Sequence, residues 1–232
     1  MAQKSELFSS LQAKQAEQDS ALARREWSGR TRSLVEIAVV FGLILVAVWT
    51  PQGPLNHWIS LVAAGCVIVL AFKGRWTPSE LGLTHPLRGA GSILLTGAIL
   101  CGIIMLIGNA VRFAGAGYGV PWSRSWQYVL WSLEQEFILQ SIFFVRLESI
   151  FGSRRSVIIA ACLFSLCHIP SPVLTLLSFV GGILFSELFR RFRNLYPLGA
   201  IHGALGLTIA ASMPDKWLHH MRVGLGYLTT HF

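Results

Sequence analysis

The sequence predicts an all-α fold, a polytopic helical bundle of about seven membrane spans with its N-terminus in the cytoplasm. Three observations predict it. Of the 232 residues, 53% are apolar and only 13% charged, a balance outside that of ordinary soluble domains. Apolar stretches recur near residues 34–50, 58–72, 92–112, 126–150, 156–169, 173–188 and 195–212, most of them close to the roughly 17–25 residues that cross hydrocarbon. The basic residues sort by side. With spans alternating from an inside start, all of the 19 Lys and Arg except Arg112, Arg124, Lys216 and Arg222 fall inside, as the positive-inside rule requires.

Residues 1–33 hold Lys4, Glu6, Lys14, Glu17, Asp19, Arg24, Arg25, Glu26, Arg30 and Arg32. No apolar run follows the start, so a signal peptide is not expected, and these residues read as a polar cytoplasmic arm. Residues 34–213 are the membrane domain, with residues 126–212 as its functional core, and residues 214–232 are a C-terminal tail. The net charge of +8 is a topology signal. A nucleic-acid partner would need a soluble basic face with interleaved aromatics, which is absent. Trp49, Trp58, Trp76, Trp122, Trp126 and Tyr196 fall at span ends, where an aromatic belt belongs. Cys66, Cys101, Cys162 and Cys167 sit in apolar runs without metal-ligand spacing and read as buried thiols.

Ionisable groups inside spans carry the functional signal, because a charge at mid-membrane costs roughly 2.5–3.5 kcal/mol on insertion scales. Glu36 and Glu187 lie near span ends, and Glu187 precedes Arg190 and Arg191 by three and four residues. Both read as interfacial, with Glu187 in a helical ion pair. Glu134 and Glu136 lie nine to eleven residues into the fourth stretch, near the bilayer middle. Two residues apart is about 200° around a helix, so the two carboxyls cannot share a face, whereas Glu136 and Gln140 can share one and hydrogen-bond. His168 closes the fifth stretch one turn after Phe164, and His202 lies in the seventh. Carboxyls and imidazoles on separate spans point to a shared cavity. A helix–helix hydrogen bond is the simpler account of any one of them.

Taken together, Gln135-Glu136-Phe137-Ile138-Leu139-Gln140 running to Arg146-Leu147, then Phe164 to His168, then Gly181-Gly182 leading to Arg190-Arg191, then His202 resemble the motifs of the CAAX-protease and bacteriocin-processing (CPBP, or ABI) family of intramembrane glutamic endopeptidases. Glu80-Leu81-Gly82-Leu83 is similar to the element preceding that family's core. The resemblance covers residues 76–211. It implies a water activated by a glutamate and the first histidine, with the second histidine and an asparagine binding the oxyanion. Carried over, Glu136, His168 and His202 are the expected catalytic residues. Gln135 stands for the family's first glutamate, Gln140 for its arginine and Gly206 for its asparagine. Glutamine is no base, so the base falls to Glu136, through a local helix distortion, or to Glu134.

The resemblance implies a membrane-associated protein or peptide as substrate and a multi-pass protein of the bacterial cytoplasmic membrane. No cofactor and no required metal are expected, since no His-Glu-x-x-His helix is present. Two other readings fit the same residues: a catalytically inactive relative that binds and escorts such a substrate, and a carrier that moves protons through them. Loss of cleavage with Glu136 or His168 separates the first reading from both.

Overall fold

The computed structural model describes Gln18, residues 27–110 and residues 121–229. The polar arm expected for residues 1–33 therefore lies mostly outside the described residues. So does the connection at residues 111–120.

The described residues are helical, without strands. Helices α1 (Trp27–Val48), α2 (Pro54–Phe72) and α3 (Ala90–Ala110) come first. Helix α4 (Trp122–Glu136) continues without a break through a π-helical segment, Phe137–Phe144, into α5 (Val145–Phe151). Helices α6 (Ser153–Leu166), α7 (Pro172–Phe192) and α8 (Leu195–Ser212) follow, then α9 (Asp215–Leu218) and α10 (Gly224–Leu228) in the tail. Five of these, α1, α2, α3, α7 and α8, are long and apolar enough to cross a membrane. The fourth expected stretch is the α4–π–α5 run, and the fifth is the 14-residue α6.

The bundle is turned apolar side out. Phe72, Leu87, Leu106, Leu95 and Leu176 are all largely exposed, which an aqueous surface would disfavour and a lipid-facing one requires. Cys162 shows the same inversion. It was expected buried, yet it is exposed on α6, because in a membrane protein apolar surroundings mean lipid as often as protein.

Helix α1 begins before the expected span, at Trp27. Its polar opening is held by Thr31 Oγ1 donating to the Trp27 carbonyl and by an Arg32–Glu36 pair at 2.7 Å. Glu36 does more than sit at an interface. It also accepts from Arg146 Nε at 2.7 Å, and Arg146 is fully buried. The rest of that guanidinium donates to the carbonyls of Ser141, Ile142 and Leu70, so one cation bonds carbonyls of the π-helical segment and ties α1 and α2 to it.

The Glu80–Leu83 element is a turn clamped against the core. Ser141 Oγ donates to the Leu81 carbonyl and the Leu195 N–H to that of Gly82. Gly82 has φ +78°, and a Cβ there would strike Phe189, so both backbone and space demand glycine. Thr77 and Glu80 bond reciprocally, as in a capping box. The Thr77 backbone N–H holds the Glu80 carboxyl below its ordinary range, with the Thr77 hydroxyl assisting.

Residues 214–229 are no loose tail. The Gly224 N–H donates to the Ile169 carbonyl, Leu218 is fully buried, and Met221 and Val223 reach the central cavity described below.

Candidate active site

Helices α4 and α8 meet at unusually close range, and glycine is the reason. A Cβ on Gly199 would lie 3.0 Å from Leu133 Cα, and one on Gly203 would lie 3.1 Å from Val129 Cα. These two glycines are four apart, the small-x-x-x-small spacing that lets membrane helices approach backbone to backbone. The sequence contains that spacing around His202, but only the packing shows what it does. It presses His202 against the end of α4.

In the last three residues before the π segment, Glu134 to Glu136, the chain turns its polar groups in different directions. Glu134 and Gln135 line a cavity of about 450 Å³. Glu136 does not; it is fully buried on the opposite side, as the 200° separation of Glu134 and Glu136 requires. There its Oε1 lies 2.9 Å from His202 Nδ1, and its Oε2 accepts from Gln140 Nε2 at 3.0 Å. Gln140 is itself fully buried, and its Oε1 has no partner among the described residues. From residue 139 to residue 144 every side chain is buried, so the distorted segment is the centre of the bundle. Single-turn π distortions recur at functional sites for this reason: they re-aim side chains that an α-helix would splay.

His168 follows the end of α6 and His202 sits within α8, and both line the cavity. His168 Nδ1 lies 2.8 Å from the Phe164 carbonyl. A carbonyl only accepts, so Nδ1 carries the proton and Nε2 is the free acceptor. When Glu136 is ionised the same logic places a proton on His202 Nδ1. Phe164 packs edge-on against both imidazoles, at centroid distances of 4.8 Å and 5.7 Å, and Phe185 stacks on His202 at 4.9 Å. The residues of the Phe164 to His168 motif therefore fix both rings. Phe185 carries no signal in the sequence beyond its apolarity.

The remaining lining is predominantly apolar and is contributed by α1 to α4, α6 to α8 and the tail. Its polar exceptions include Tyr128, Ser60 and Ser178, and Glu134 is the one carboxyl among the lining residues. Cys167 also lines it. Among the described residues, no group of three or more His, Cys, Asp or Glu is arranged to hold a metal ion.

The family model described as type II CAAX prenyl endopeptidase Rce1-like matches residues 119–208. Residues 119–208 are similar to that family. No curated protein and no solved structure matches the chain. The matched segment runs from just before α4 to near the end of α8, and it contains Glu134, Glu136, His168, His202 and Gly206. Helices α1 to α3, outside it, supply much of the apolar cavity wall.

Proposed function

We propose that this chain is an intramembrane endopeptidase of the CAAX-protease type, hydrolysing a peptide bond of a membrane-associated protein or peptide in the cytoplasmic membrane of a bacterium. One observation carries the reading: two imidazoles face one apolar cavity, each with Nδ1 committed to an acceptor behind it, which leaves both Nε2 atoms for a guest.

The division of labour follows from the partners. His168 is backed by a neutral carbonyl and takes the proton of a water through Nε2. Its oxygen bonds to the peptide carbonyl carbon, and the C=O π electrons move onto oxygen. His202 is backed by the Glu136 carboxyl, and in its doubly protonated form its Nε2–H donates to that oxygen. The C–N bond then breaks as the electrons return, and the proton held on His168 passes to the leaving nitrogen. Glu136 acts through His202 as a positioning residue. Its other oxygen is held by Gln140, so the carboxyl is fixed from both sides. Glu134, the carboxyl on the cavity wall, is the other group able to take a proton from water.

The test compares protein termini in membranes of cells expressing the wild type, Glu134→Gln, Glu136→Gln, His168→Ala and His202→Ala at equal accumulation. A new terminus that vanishes with His168→Ala and His202→Ala supports hydrolysis. A second reading, an inactive relative that binds and escorts its substrate, is favoured by Gln135 standing where the family has a glutamate. In that case no terminus depends on His168, while a partner still co-purifies with every variant.

A further inference from the structure

Tyr128 is a polar handle in an apolar cavity wall with nothing to hold. It lies on α4, half-buried, and lines the same cavity as His168 and His202. Among the described residues its hydroxyl has no hydrogen-bond partner, although a phenol in apolar surroundings ordinarily finds one. That leaves an O–H available to whatever enters.

Its position is set by a glycine. Gly206 is buried in α8, four residues after His202 and so on the same face. A Cβ on Gly206 would overlap the Tyr128 hydroxyl and would come within 2.7 Å of its ring Cε1 and 2.8 Å of its Cζ. Any side chain at 206 would displace the phenol. The α4–α8 contact thus places a hydroxyl in the space that a residue 206 side chain would fill, one helical turn from His202.

We propose that Tyr128 is a catalytic residue whose hydroxyl, together with His202 Nε2–H, donates to the carbonyl oxygen as it becomes the oxyanion. This rests on the hydrolytic reading above. It adds no step and no co-reactant: the phenolic proton stays on Tyr128 while the negative charge forms and collapses. A donor of this kind acts on the transition state more than on the bound substrate, and the space that a residue 206 side chain would occupy is already taken by the donor itself.

The experiment measures the rate at which the His168-dependent terminus accumulates after induction in membranes of cells expressing wild type, Tyr128→Phe and Gly206→Ala. In parallel, photo-crosslinking in a His168→Ala background measures capture of the same substrate with and without Tyr128→Phe. Tyr128→Phe removes one oxygen and keeps the ring. The expected result is a fall of about 100- to 1,000-fold in rate with capture unchanged, and a comparable fall for Gly206→Ala, which pushes the hydroxyl aside. Cleavage by Tyr128→Phe at the wild-type rate overturns the proposal and leaves the protease reading intact. Parallel loss of capture also overturns it, because the hydroxyl is then a substrate-binding or structural group. If wild-type membranes yield no His168-dependent terminus, the protease reading falls and the proposal with it.

Discussion

Glu136 Oε1 and His202 Nδ1, 66 residues apart in the chain, lie 2.9 Å from each other across the α4–α8 contact. The carboxyl is fully sealed from the cavity, while the imidazole borders it. The carboxyl thus acts on the cavity only through the ring it holds.

Replacing Glu136 separates charge from packing. Glu136→Gln keeps an acceptor for His202 Nδ1 and retains near-native stability, but it removes the negative charge and slows cleavage. Glu136→Ala leaves Gln140 and His202 without their partner and costs about 3–5 kcal/mol. Thermal unfolding in detergent, set beside the terminus assay, checks both halves.

Glu134 and His168 compete for the role of base, and their variants discriminate. Glu134→Gln is expected to keep most of its activity, since the Nδ1–H bond to the Phe164 carbonyl already leaves His168 Nε2 as an acceptor. His168→Gln is expected to abolish it. The reverse pattern in the rate of terminus formation would transfer the base to Glu134.

Arg146 and the partly exposed Glu36 should behave as one unit. Arg146→Met removes the donor for three backbone carbonyls and leaves Glu36 with Arg32 alone, and a loss of about 3–5 kcal/mol is expected. Adding Glu36→Gln should cost much less than the sum of the single changes, because neighbours in one network are not additive. A double-mutant cycle on unfolding free energies reads the coupling directly.

Gly199→Ala tests the α4–α8 approach. The new methyl meets the Leu133 backbone, which has no rotamer to yield, so an overpacking penalty of about 1–3 kcal/mol is expected. Because the same contact sets the Glu136–His202 distance, cleavage should fall by more than the change in folded population explains. Activity normalised to folded protein checks this.

The Thr77–Glu80 turn carries a pH dependence outside the membrane. With its folded carboxyl held below the ordinary range by the Thr77 N–H, Glu80 stabilises the turn above its unfolded pKa. That contribution is lost as the pH falls through the lower folded value. Hydrogen exchange at the Thr77 amide should accelerate in that acidic window, relative to intrinsic exchange, and Glu80→Gln should remove the dependence.

Membrane insertion, the helical class and the identity of the polar candidates were legible in the chain, because each follows from quantities local in sequence. Apolar run length, basic-residue bias and the price of a charge in hydrocarbon need no knowledge of neighbours. So does the angle between Glu134 and Glu136, which α-helical geometry alone sets. Tertiary structure decided the rest. Nothing local distinguishes which of the two carboxyls faces the cavity, since that depends on the rotation of α4 against α8. Arg146 reads as a motif residue and an inside-facing cation, and the fold alone brings Glu36, 110 residues away, to its guanidinium. Gly206 reads as a missing side chain until Tyr128 is found over it. A residue type and its helical phase can be read from a sequence, but a partner is a property of two helices packed together.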